Sequence, residues 1–269
     1  MSSKDISSLQ TGLGGKVVLV TGGSSGIGKS AAIEFAQNGC KLAIVGRNKD
    51  ALKDTANICM SHGVPEAEIL EIIADLEKDD DCKRVVSEAI EKFEQLDVLV
   101  NGAGSLVTGG IETLSVEDYD KQMNLNCRSI YIVTQAAIPF LKASKGSIVN
   151  VSSVTGLRSF PNVISYCMSK AALDQFTRCV ALELASVPVR CNAVNPGVIE
   201  TNVHKRAGMS DEAYEKFLEH SRATHALGRV GGPDEVAKAI VFLASNELSG
   251  FMTGATLPVD GGRGIMCPR

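Results

Sequence analysis

Two stretches of the chain hold reactive side chains at spacings that could do chemistry. The first, Tyr166-Cys167-Met168-Ser169-Lys170, opens an apolar run with helical periodicity. Residues four apart share a helix face, so the Tyr166 phenol and the Lys170 ammonium can point into one space. A free tyrosine has a pKa of about 10, too high for ready proton exchange at neutral pH, and a neighbouring cation favours the phenolate. Such a pair can serve as a general acid–base. Alone, the same spacing also describes a half-buried tyrosine beside a solvated lysine.

The second stretch is Thr21-Gly22-Gly23-Ser24-Ser25-Gly26-Ile27-Gly28, set between a short apolar run and a helical one. Glycines permit the tight turn and let backbone approach a ligand closely. The helix N-terminus beyond it offers unpaired amides and a positive dipole end to a pyrophosphate. The spacing is G-x3-G-x-G, not GxGxxG, so the strand–turn–helix order carries the dinucleotide reading. Gly22–Gly26 also fits the GxSxG elbow of hydrolases. That fold needs an oxyanion loop from an earlier strand, and none comes before the one that leads into this turn. It also needs a late histidine; His204, His220 and His225 all fall in one charged segment. A purely structural glycine turn is the plainer alternative.

The elements that must position these groups alternate along the chain. Short Val- and Ile-rich runs fall at Val17–Thr21, Lys41–Val45, Ile69–Ile73, Asp97–Asn101, Ser147–Ser152, Val189–Asn195 and Ala255–Val259. Most lack polar alternation, as expected of parallel strands covered on both faces. Helical patterns separate them at Ile27–Asn38, Asp50–His62, Lys78–Glu94, Val116–Leu141, Tyr166–Leu184 and Pro233–Leu243. This order predicts a single doubly wound α/β Rossmann-type domain over 15–269, with a seven-stranded, mostly parallel sheet and helices on both faces. A polar tail occupies 1–14. The charged insert at 200–230 follows a strand's C-terminal end, where it can cover a ligand crevice.

Composition narrows the function classes. Of 269 residues, 44% are hydrophobic and 22% charged, and the net charge of −4 provides no basic field for nucleic acid. No run suits a membrane span or a signal peptide, so a cytoplasmic setting is expected. The eight cysteines show no zinc-knuckle or redox-pair spacing, and the four histidines form no HExxH pair. Reduced thiols and no metal are the expectation.

Further motifs stand in order around these two: Asn101-Gly102-Ala103-Gly104 after the fourth strand, Asn126 in the Val116–Leu141 helix, Ser153 thirteen residues before Tyr166, and Asn195-Pro196-Gly197 after the sixth strand. With TGGSSGIG and YCMSK, they make the chain resemble the classical short-chain dehydrogenase/reductases from about Gly15 to Gly262. The resemblance implies a catalytic set of Asn126, Ser153, Tyr166 and Lys170. Tyr166 would exchange the proton of a carbonyl or hydroxyl oxygen that Ser153 holds. Lys170 would lower the phenol's pKa and bind ribose hydroxyls, and Asn126 would hold a water linking Lys170 to solvent. Gly22, Ser24, Ser25, Gly26, Ile27 and Gly28 would line the pyrophosphate, Arg47, Asn48 and Asp75 the adenosine, and Asn101, Ala103 and Gly104 the adjoining side. Pro196, Gly197, Ile199 and Thr201 would meet the nicotinamide, beside Tyr166 and Lys170.

Cofactor choice is read where the second strand ends. An acid there would bond a ribose 2′-hydroxyl; the chain instead has Gly46 followed by Arg47, which favours NADP(H) over NAD(H). The expected substrate rim is Ser105, Leu106, Ser153, Val154, Leu157, Tyr166, Val198 and His204. Its mostly apolar character suits a neutral or amphipathic ketone, aldehyde or secondary alcohol. A 3-oxoacyl thioester reductase and a catalytically idle cofactor-binding protein are the alternatives. The Val116–Leu141 and Tyr166–Leu184 helices are too apolar for one buried face, so a homodimer or homotetramer is expected.

Overall fold

The computed structural model describes residues 10–267. Of the tail expected over 1–14, residues 1–9 lie outside them. Thr11 and Leu13 belong to the body: Leu13 is buried, and the Thr11 hydroxyl donates to Asn38 Oδ1 at 2.8 Å.

Among the described residues the seven expected strands are present, and ten helices stand where six helical patterns were expected: β1 Val17–Thr21, α1 Gly26–Gln37, β2 Lys41–Gly46, α2 Lys49–Ser61, β3 Ile69–Ile73, α3 Asp79–Phe93, β4 Val98–Asn101, α4 Val116–Met123, α5 Ser129–Ser144, β5 Ser147–Val151, α6 Ile164–Leu184, β6 Arg190–Pro196, α7 Val203–Arg206, α8 Asp211–Ala223, α9 Pro233–Ala244, α10 Asn246–Ser249 and β7 Thr256–Val259. The sheet order is β3-β2-β1-β4-β5-β6-β7, and every pairing is parallel. The expected "mostly parallel" sheet is therefore wholly parallel. The strands read as unbroken apolar runs because both faces are covered: β1, β4, β5 and β6 are buried throughout. One core lies under α1, α2 and α9 around Phe35, Leu52 and Ile240. The other lies under α3, α5 and α6 around Val85, Leu141 and Leu184.

The single helix expected over Val116–Leu141 is one helical rod with a fault in it. Between α4 and α5 the backbone widens into a π turn, Asn124–Arg128, which turns Leu125 and Asn126 inward. Apolar residues continue across the fault, so periodicity alone hides it. The 200–230 insert folds as α7 and α8 above the C-terminal ends of β6 and β7. Among the described residues no helix is long and apolar enough to cross a membrane.

The order reverses between β1 and β4, which opens a crevice at their C-terminal ends. Thr21 ties the two sides there: its hydroxyl oxygen accepts from Gly102 N at 3.0 Å and Ala103 N at 3.1 Å. At the opposite end of the sheet, buried Arg190 latches α9 and α10 to β6. Its guanidinium donates to the carbonyls of Leu243 (2.8 Å) and Ala244 (2.9 Å) and to Asn246 Oδ1 (2.7 Å). A buried cation leaves several acceptors orphaned when it is removed. Arg190→Met is therefore expected to destabilise the fold by about 3 kcal/mol, read as a lower urea midpoint; an unchanged midpoint would mean the latch is dispensable.

Candidate functional site

The glycine turn occupies the crevice at the head of α1. Gly22 has φ +75°, and a side chain there would strike the Gly102 carbonyl at 2.7 Å. A Cβ on Gly28 would lie 2.3 Å from the Gly22 carbonyl. These two glycines thus let the turn, α1 and the β4 loop close on one another. α1 has no side-chain cap and no acidic residue in its first turn, whereas α2, α4 and α8 each have both. Its leading amides are left for a ligand, and an anion is the one that the helix dipole favours.

Above the turn lies a cavity of about 1020 Å³, large enough for a dinucleotide together with a second molecule. Its walls include Gly22, Ser24, Ser25, Gly26, Ile27, Gly28, Arg47, Asp75, Ala103 and Gly104, then Ser105, Ser153, Tyr166, Lys170, Pro196, Gly197, Val198, Ile199, Thr201 and His204. Four expected site residues lie elsewhere. Asn48 caps α2, accepting from Ala51 N at 3.0 Å. Asn101 is buried in the sheet, donating to Asn150 Oδ1 at 2.8 Å and Thr134 Oγ1 at 3.1 Å. Leu157 points to solvent, because the single turn after Ser153 carries it past the rim.

Asn126, the fourth, is fully buried behind the wall. The π turn aims its amide at the β4 loop, where it accepts from Ser105 N at 3.0 Å and donates to Ser105 O at 3.0 Å and Ser169 Oγ at 3.1 Å. Its side chain is spent on holding Ser105 and α6 together.

Ser153 lies two residues beyond β5 and caps the short turn Val154–Gly156, its oxygen accepting from Thr155 N at 3.1 Å. Its hydroxyl also stands beside the Tyr166 phenol and acts to lower that group's pKa. Burial outweighs this effect and pushes the phenol up to about 12. The expected depression by Lys170 does not emerge here. The ammonium lies 5.6 Å from the phenol ring's centre, donates to Val151 O at 2.8 Å and is itself brought down to about 8 by burial. Both groups line the same wall, one turn apart on α6.

Asn195, leaving β6, braces this wall from behind. Its amide donates to Ser153 O at 2.9 Å and to both carboxylate oxygens of Asp174 at 3.1 Å. His225 braces the β6 loop: Nδ1–H donates to Ser221 O at 2.6 Å, and Nε2 accepts from Val198 N at 3.1 Å. Burial holds this imidazole below its ordinary pKa, in the neutral form that the two bonds require. Among the described residues no imidazole bonds a serine hydroxyl, so the hydrolase reading has no acid–base partner for Ser24. Nor do three His, Cys, Asp or Glu side chains among them gather as metal ligands.

The cavity also contains groups that sequence reasoning missed. Arg206 of α7 reaches across to donate to Ser25 Oγ at 3.0 Å. Phe160, Phe217, Thr224 and Arg263 close the far end. Their signal in the sequence is weak, since each enters from a loop or the insert rather than from a motif.

Comparison with known proteins agrees with this geometry. Residues 22–263 match the family model described as enoyl-(acyl carrier protein) reductase. The chain is 38% identical to a 3-oxoacyl-(acyl-carrier-protein) reductase FabG of Thermotoga maritima, over 93% of this chain and 98% of the relative. It is 33% identical to the meso-2,3-butanediol dehydrogenase of Serratia marcescens, over 92% and 94%. A crystal structure of a short-chain dehydrogenase/reductase from Caenorhabditis elegans, solved with its cofactor, superposes with a TM-score of 0.91 at 36% identity, covering 95% of this chain and 97% of that one. Fold, crevice and relatives agree: the chain belongs to the short-chain dehydrogenase/reductase family, NAD(P)-dependent oxidoreductases acting on alcohols and carbonyls.

Proposed function

We propose that the chain is an NADP(H)-dependent carbonyl reductase or alcohol dehydrogenase for an amphipathic small molecule, with Tyr166 as its acid–base. The observation that carries this reading is the Tyr166 phenol beside Ser153 and Lys170 on the wall of a cavity that begins at an uncapped helix N-terminus. The nicotinamide cofactor would supply the hydride in reduction and, when oxidised, a positive charge beside the phenol. Ser153 holds the substrate oxygen and fixes its distance from Tyr166. Raised to about 12, the phenol stays protonated at neutral pH and is ready to donate to that oxygen. In oxidation Tyr166 takes the hydroxyl proton instead. Lys170 then supports the phenolate and, with its ammonium facing the cavity, binds ribose hydroxyls. Asn126 acts from behind as a positioning residue through Ser105.

Two features support NADP(H). A Cβ at Gly46 would lie 2.9 Å from Ser24 Cβ, so the β2 end has little room for an acidic side chain without displacing the turn. Arg47 follows, exposed and only loosely paired with Glu77 at 3.6 Å, and Arg206 adds a second guanidinium at Ser25. A 2′-phosphate would meet both. The likeness to a 3-oxoacyl reductase supports thioesters as a second substrate class. Assembly is proposed through α5 and α6, where Tyr131 and Met168 stand exposed beside a groove lined by Met123, Leu173 and Phe176. A cytoplasmic setting suits the free thiols, of which Cys40, Cys59 and Cys191 are pushed up to about 12 by burial.

Three measurements test these readings. Tyr166→Phe should cut carbonyl turnover by at least about 10²-fold while cofactor binding is kept; near-normal turnover would refute the assignment. Arg47→Ala should raise the KM for NADPH roughly tenfold and leave that for NADH unchanged. A wild-type preference for NADH would end the NADP(H) reading. Light scattering should give twice or four times the chain mass, and a monomer would refute the assembly.

A further inference from the structure

The far end of the cavity contains one fixed cation that the proposed chemistry does not use. Arg263 lies in the turn after β7, half-buried, with its guanidinium 4.9 Å from the centre of the Phe160 ring. One guanidinium nitrogen donates to Thr224 Oγ1 at 2.8 Å. Among the described residues no carboxylate lies within salt-bridge distance of it, although thirteen other pairs form there. The nearest acid in the chain, Asp260, is spent on backbone: it accepts from Gly262 N at 2.9 Å and Gly264 N at 2.6 Å. The turn is held in place, because Arg158 Nε donates to Gly264 O at 2.6 Å.

This cation belongs to the reacting end of the cavity. A Cβ on Gly264 would lie 3.5 Å from Val154, the residue after Ser153. Asp260 acts on Arg263 through its field and Arg158 flanks the same turn, but neither lines the cavity. Burial and the cation itself hold His204 and His225 below their ordinary pKa, so both are neutral at pH 7. Around them stand Leu106, Val154, Phe160 and Phe217, an apolar lining. A half-buried guanidinium with no salt bridge and with N–H groups to spare, lining such a cavity, can receive an anion.

Resting on the oxidoreductase reading above, we propose that Arg263 binds a substrate carboxylate, so that the enzyme interconverts monoanionic oxo acids and hydroxy acids. One fixed positive charge matches one negative charge; a phosphate monoester would bring nearly two. In reduction the carbonyl carbon takes a hydride from NADPH and the oxygen takes a proton from Tyr166. NADP+ and the hydroxy acid leave, and the carboxylate is unchanged throughout. Phe160 and Thr224 fix the guanidinium plane, and the apolar lining receives the carbon chain.

The test uses the full chain with NADPH and a series of linear oxo acids, their methyl esters and a hydroxyketone phosphate. Wild type should prefer some acid to its ester by at least tenfold in kcat/KM. Arg263→Met should lose on the order of 10²-fold on that acid, mainly in KM, and leave the ester within about twofold. Arg263→Lys should recover part of the loss. Equal losses on acid and ester would show a merely structural arginine, and a preference for the phosphate would overturn the single-charge assignment. Calorimetry with hexanoate, which cannot accept a hydride, separates the two readings. Hexanoate binding that Arg263→Met abolishes, with no carbonyl turned over, would sink the oxidoreductase reading alone. Absence of hexanoate binding to the cofactor-loaded enzyme, with esters reduced, would sink the carboxylate site alone.

Discussion

Asn195 shares one amide nitrogen between the main chain of β5's end and the buried carboxylate of Asp174 on α6. These bonds join three elements that carry different parts of the chemistry. β5 delivers Ser153, α6 delivers Tyr166 and Lys170, and β6 delivers the loop from Pro196 to Thr201. Ser152 adds to the same knot, its hydroxyl reaching the Lys170 carbonyl at 3.2 Å. Gly156 fits against the carboxylate so closely that a Cβ would lie 2.3 Å from Asp174 Oδ2. Burial raises the Asp174 pKa, and the Asn195 bonds and the neighbouring Ser152 hydroxyl oppose that rise. A buried carboxyl is tolerable only when its lone pairs are met, and here they are met by the groups it must align.

Burial also governs the protons of the site. Tyr166 and Lys170 move in opposite directions for one reason: each loses water that would have stabilised its charged form. The protein alone therefore presents a neutral phenol and an ammonium whose proton is loosened. Charge enters from the edges instead, through Arg47 and Arg206 at the glycine turn and Arg263 at the far end. A dry centre between charged rims lets a small shift in position decide the polarity that a bound carbonyl feels.

Much of this was legible in the residues. Every strand end lies within one residue of expectation, because doubly covered parallel strands appear as bare Val and Ile runs. Gly22 and Gly28 stood out because backbone contacts leave no room for a side chain. What escaped depends on distant parts of the chain. Arg263 meets Thr224 and Phe160, respectively 39 and 103 residues away in sequence, and no local pattern announces such a meeting. Asn101 sits inside a motif associated with the cofactor, yet the sheet claims its amide for Asn150. The depression of the Tyr166 phenol by Lys170 was a four-residue inference, and the burial that overrides it belongs to the folded cavity.

The π turn at Asn124–Arg128 stores one residue more than a regular helix would use there. That extra residue is absorbed locally, so α4 and α5 keep one common register and a single apolar stripe across the fault. Deleting it would close the turn to ordinary α geometry and leave the rod intact, but the widened backbone that aims Asn126 at Ser105 would be gone. The rod therefore tolerates a shorter segment as structure, and the surplus residue serves the aim of one amide.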